Sequence, residues 1–176
     1  MPTNTLDRRV YDLLSRILGY PGPELGRGVE ACIGLLQPAN PEAAASLARF
    51  GTFVDETPLG RLEEIYTSTF DLGAVCCPYV GYQVFGNSYK RGFFLSQLNE
   101  EYRRRGFTVE AELAHELSDH LAVLLRFLQT LEDEEEAGEL IADCLRPSLG
   151  KMDAALAAKG NPYRDVLQAI LRVLEG

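Results

Sequence analysis

Tryptophan is absent from this chain of 176 residues, and histidine is scarce, with only His115 and His120 present. So little imidazole narrows the metal and acid–base chemistry open to it. None of the four cysteines, Cys32, Cys76, Cys77 and Cys144, falls in a C-x-x-C pair. Zinc sites draw on paired ligands at short loop spacing, so a cysteine-built metal site is disfavoured and buried free thiols are expected. The role of the adjacent Cys76 and Cys77 is left open. No apolar run approaches the ~20 residues that span a bilayer. Asp7, Arg8, Arg9, Asp12 and Arg16 interrupt the first apolar stretch, so no export-signal core is read and the cytoplasm is the default compartment. Basic residues are in the minority, 17 against 26 acidic, for a net charge of −9. Such a surface repels phosphate backbones, which argues against nucleic acid as a partner and favours a basic peptide. G-x-S-x-G, a phosphate-cradling glycine loop and G-x-G-x-x-G are all missing, so an enzyme is the weaker class. Strand alternation, internal repeats and low-complexity linkers are missing too.

What remains is helical periodicity. A 46% hydrophobic and 24% charged composition is that of an ordinary soluble domain, and the length suits one unit over residues 1–176. Leu6, Val10, Leu13, Leu14, Ile17 and Leu18 predict a first amphipathic helix stopped by Gly19 and Pro21. A second runs from about Glu24 to Leu36. Asn40-Pro41, Thr57-Pro58 and Asn161-Pro162 each read as a cap followed by proline at a helix start. Asp71 to Gly86, with three glycines and Pro78, reads as a packed aromatic loop, and helix resumes from about Ser88 to Gly106. Leu113, Leu117, Leu121, Leu124, Leu128 and Leu131 form a stripe predicting one long helix from Glu110 to Leu131. On it Glu112, Glu116, Asp119 and Arg126 share the polar face, and His120 sits at the border. The acidic run Glu132–Glu136 leads to a helix kinked or split at Pro147. The prediction is an all-α bundle of about seven to nine helices, globular because no heptad pattern persists.

His115-Glu116 invites a zinc-protease reading, but the second histidine lies five residues on. On a helix that leaves the rings roughly 140° apart, too far to share one ion. Glu112-x-x-His115 supplies only half of a di-iron carboxylate motif. A helical metal-binding enzyme using Glu112, His115 and Glu116 is therefore kept as an alternative, beside a purely structural interaction scaffold.

Four blocks carry a resemblance: YTSTFDLG (Tyr66–Gly73), PYVGYQVFGNSYKRG (Pro78–Gly92), LNEEYRRRGF (Leu98–Phe107) and ELSDHLAVLLRFL (Glu116–Leu128). In order and spacing they resemble the redox-enzyme maturation chaperones of the TorD/DmsD/NarJ group, nearest to the nitrate reductase delta-subunit branch. The opening LLSRILGYP and the closing NPYRDVLQAILRVL are similar too. The resemblance implies a cytoplasmic all-helical chaperone, not an enzyme, with no cofactor or metal of its own. Its partner would be the N-terminal region of a molybdopterin-dependent oxidoreductase catalytic subunit, held while cofactor is inserted. It would not insert into membrane, and would be a monomer or weak homodimer. Ser118 stands where the family's E-L-P-D-H-L has proline, so the long helix is expected to run straight through. Tyr82–Phe85 lacks the acidic and histidine residues often found there, which bears on the client.

A peptide chaperone needs apolar pockets and a few polar groups that fix register. Asp119 is the candidate for a basic residue of the peptide. His120 is the candidate hydrogen-bonding group, with Glu116 favouring its charged form. Tyr66, Phe70, Tyr79, Tyr82 and Phe85 offer contact area. Arg91 is either a binding residue or the internal partner of Asp71 or Asp119.

Overall fold

The computed structural model describes residues 5–176; the readings of the extreme N-terminus at positions 1–4 lie outside it. The helices are α1 (Arg9–Ile17), α2 (Leu25–Leu36), α3 (Pro41–Asp55), α4 (Leu59–Phe70), α5 (Val80–Phe85) and α6 (Tyr89–Arg105). They continue with α7 (Leu121–Thr130), α8 (Glu134–Leu140), α9 (Arg146–Ala157) and α10 (Tyr163–Glu175). A π-helical stretch, Ile141–Leu145, joins α8 to α9, so the described residues form nine helices when that rod is counted once. The all-α bundle expected from the periodicity is the fold observed.

Helix α7 is the most deeply buried of the helices. Every residue from Leu121 to Leu128 is buried, including Arg126, as expected of a helix that is apolar all round. Helix α1 packs on α7 and α2, α3 joins α2 to α10, and α9 lies against α10 and α5. Helix α6 packs mainly on α5, and Phe93 and Tyr89 stand 64% and 83% exposed on it.

The ends follow local chemistry. Asn40 Oδ1 accepts from the Ala43 amide and Asn161 Oδ1 from that of Tyr163. Thr57 departs from the pattern: its hydroxyl donates back to the Phe53 carbonyl of α3 and leaves α4 without a side-chain cap. Gly106 closes α6 at φ 63°, a left-handed turn that only glycine adopts cheaply. Within the acidic run, Asp133 Oδ1 accepts from the Glu135 amide at 2.8 Å and starts α8. The helical run continues through Pro147 without a break. The π turn before it widens the helix, with the Arg146 amide bonding Ile141 five residues back, which accommodates a residue lacking an N–H.

The predicted long helix is the principal correction. Residues 110–120 contain only the 3₁₀ turn Ala111–Leu113, and α7 starts at Leu121. Leu113 is buried but Leu117 is 49% exposed, so the leucine stripe breaks there. The helix does not run through Ser118. Its hydroxyl bonds Asn99 and its carbonyl accepts from Tyr102 Oη at 2.8 Å, contacts that hold the segment in turns.

Candidate functional site

The broken segment creates the site. Just before α7, residues 119–121 pair with 78–80 in a short antiparallel bridge: the Val80 amide donates to the Asp119 carbonyl at 2.8 Å, and the Leu121 amide to that of Pro78 at 2.9 Å. His120 then caps α7, its Nδ1 accepting from the Ala122 amide at 3.1 Å. An accepting Nδ1 carries no proton, which places the ring's proton on Nε2, 4.0 Å from Glu116 Oε1. Burial pushes the His120 pKa below its usual value, outweighing the nearby Glu116 and Asp119 charges that raise it; His115 lowers it further. Glu116 was expected to favour the imidazolium, but desolvation of a side chain only 6% exposed wins.

Asp119 points the other way. It has no exposed surface, and Arg91 Nε and Nη2 donate to its two carboxylate oxygens at 3.0 and 3.3 Å. Of the partners that the sequence left open for Arg91, Asp119 is the one observed. Gly81 makes room for the pair, since a Cβ there would sit 2.5 Å from Asp119 Oδ2. Arg91 also lies over the rings of Tyr79 and Tyr82, 5.5 and 5.9 Å from their centroids.

On the other side of His120 an open cleft of about 820 Å³ is lined by α1, the turn after it, the start of α2, α4, Pro78-Tyr79, and Glu112, Leu113, His115, Glu116 and His120. Its aromatic wall is a chain of rings. Tyr20 meets Tyr66 at 5.5 Å, Tyr66 meets Phe70 at 5.3 Å, and Phe70 rests on the fully buried Tyr163 at 5.1 Å. Tyr79 Oη donates to Glu116 Oε2 at 2.5 Å, and its ring meets His120 edge-on at 5.3 Å. Burial, helped by Glu116 and Asp71, pushes the Tyr66 hydroxyl up to about 12, so it remains a neutral donor.

The cleft's polar flank is tied down. Buried Arg126 donates to Ser15 Oγ at 2.9 Å and to Glu112 Oε1 at 3.0 Å. Arg16 pairs with Asp12 and Glu110 at 2.9 and 2.8 Å. This clasp fixes the 110–113 turn to α1. It also occupies Glu112, whose carboxyl is held below its usual pKa chiefly by the Arg126 hydrogen bond. The alternative metal triad is not assembled: Glu112 faces arginines, while His115 Nε2 lies 3.1 Å from Glu116 Oε1. No cluster of three or more metal-ligating side chains occurs among the described residues. The helical geometry used against zinc binding does not apply, since His115 lies on a turn and His120 at a cap.

Of the nine residues singled out from the sequence, Glu116, His120, Tyr66, Phe70 and Tyr79 converge on this cleft. Asp119, Arg91, Tyr82 and Phe85 do not line it. Phe85 packs on Phe94 at 5.4 Å instead. The sequence reading missed the contribution of Leu13, Arg16, Tyr20, Pro23 and Arg126. The run GYPGPE, with a tyrosine among turn-formers, was the available signal for Tyr20 and Pro23.

A family model described as nitrate reductase delta subunit matches residues 36–168. The chain belongs to that family. The chain is 28% identical over 175 residues to the "Probable nitrate reductase molybdenum cofactor assembly chaperone NarJ" of Bacillus subtilis, covering 98% of this chain and 92% of that protein. Its fold is similar to a crystal structure described as a redox enzyme maturation protein from Archaeoglobus fulgidus, with a TM-score of 0.65 and 25% identity over 96% of this chain and 94% of that one. The resemblance read from the four sequence blocks is thus supported along nearly the whole length. No helix among the described residues is long and apolar enough to cross a membrane.

Proposed function

We propose that this protein is a non-enzymatic assembly chaperone for a nitrate reductase-like molybdenum enzyme. It acts in the cytoplasm by holding the N-terminal peptide of the catalytic subunit while cofactor is inserted. The observation that carries the reading is the open, aromatic-walled cleft of about 820 Å³ beside His120 in a chain of the delta-subunit family. Amphipathic guests dock by laying bulky side chains into such grooves, with a few polar groups fixing register. Tyr66, Phe70 and Tyr79 supply the wall, and Glu116 with the Nε2–H of His120 supplies the polar groups. Asp119 and Arg91 contribute indirectly, by locking α6 against the start of α7. The relative's name supports the client class.

Titrating the purified protein with a labelled peptide of the N-terminal residues of the catalytic subunit encoded beside it tests this. Saturable 1:1 binding in the micromolar range or tighter is expected, weakened at least tenfold by Phe70→Ala. No binding, with recovery only of the protein itself from its host, would favour the structural scaffold.

A further inference from the structure

The cleft arginines are already committed: Arg126 and Arg16 to Asp12, Glu110 and Glu112, and Arg27 to Glu24. Glu116 is the exception among the well-shielded carboxylates here. Its side chain is only 17% exposed, yet no lysine or arginine of the described residues pairs with it. Its neighbours are the Tyr79 hydroxyl at 2.5 Å, His115 Nε2 at 3.1 Å and His120 Nε2 at 4.0 Å. The His120 ring is held neutral by burial and by its capping bond, and His115 is a largely exposed side chain on a turn. A partly shielded carboxylate held by a phenol and bordered by imidazoles, with no fixed cation of its own, gains a charge-assisted hydrogen bond when one arrives. The rings beside it leave room for the apolar stem of a long basic side chain, which buries its methylenes while its head reaches the charge.

We infer that Glu116 is the specificity-determining residue of the cleft and takes a lysine or arginine flanked by bulky apolar residues of the guest. The inference rests on the peptide-binding reading above. It moves recognition of a basic residue from Asp119, which Arg91 already neutralises, to a carboxylate three residues earlier that opens on the cleft. Charge complementarity with a surface of net charge −9 agrees with it.

The test is a panel of fluorescent helix-forming peptides with leucine and phenylalanine on one face and a single lysine walked along its border, each with a glutamine twin. The wild-type protein should prefer lysine by about tenfold at one register, the scale of a charge-assisted hydrogen bond in a partly shielded site. In Glu116→Gln, which keeps an acceptor for Tyr79, the twins should bind alike. Two results would overturn the inference: no register with a lysine preference, or a preference that survives Glu116→Gln. A wild-type protein that binds neither twin at any register would instead remove the peptide-binding reading itself, and this proposal with it.

Discussion

At the residue scale, the Asp119–Arg91 pair is largely buried, and its removal carries a predictable cost. Truncating one partner of a buried pair strands the other, typically at 3–5 kcal/mol. Arg91 keeps 19% of its side chain in water, so the lower end applies. Asp119→Ala is expected to lose about 3 kcal/mol in a urea titration while binding peptide normally per folded molecule. Gly81→Ala should cost about 1–3 kcal/mol, because the new methyl meets Asp119 Oδ2 at 2.5 Å and Phe94 Cδ1 at 2.9 Å. Combining the two should cost less than their sum, since Asp119→Ala removes one of the clashing atoms. Strict additivity would mean that Phe94 and the Arg91 stem, not Asp119, oppose the methyl. The sequence made Asp119 and His120 conspicuous as a pair but did not show that they face opposite ways. That follows from the extended backbone at residues 119–121, where successive side chains alternate.

At the scale of elements, most helices were legible, because their apolar spacing and end residues agree. Asn40-Pro41 and Gly106 are examples. The exception was the stretch before α7, where leucines at 113 and 117 fell into a helical register by coincidence. The run LAVLL from Leu121 carried the contrary signal, since apolarity all round marks a separate buried helix rather than the end of an amphipathic one. A histidine cap is uncommon, so the usual start signals were missing. That cap makes α7 pH-sensitive. The folded His120 pKa lies below the ordinary 6.5, so between those values the unfolded chain holds a proton that the native protein does not. Stability should therefore be full above 6.5 and fall as the pH drops below it, the loss ending once the pH passes the folded value. His120→Asn keeps an acceptor for the Ala122 amide and should remove that dependence. His120→Ala removes it too, but costs about 1 kcal/mol at neutral pH for the lost cap. Denaturant midpoints for the three proteins across that range check this, and an undiminished slope in His120→Asn would place the titrating group elsewhere.

At the scale of the whole molecule, the fold separates holding the cleft open from filling it. The buried helix α7, the Arg91–Asp119 pair and the Arg16–Arg126 clasp fix the walls, while Tyr20, Tyr66, Phe70 and Glu116 remain turned to the opening. A guest that binds only the folded protein stabilises it by mass action, about 2.7 kcal/mol at one hundred times Kd. For a chain of this size each kcal/mol moves Tm by roughly 2–4 °C, so saturating client peptide should raise it by roughly 5–10 °C. Because Asp119 lies behind the cleft, Asp119→Ala should melt earlier yet gain the same increment, whereas Phe70→Ala should lose much of it. Scanning fluorimetry of the three proteins with and without peptide separates the wall from what supports it. An Asp119 variant that stays folded but no longer responds to peptide would mean that the buried pair, not the aromatic wall, sets the shape the guest requires.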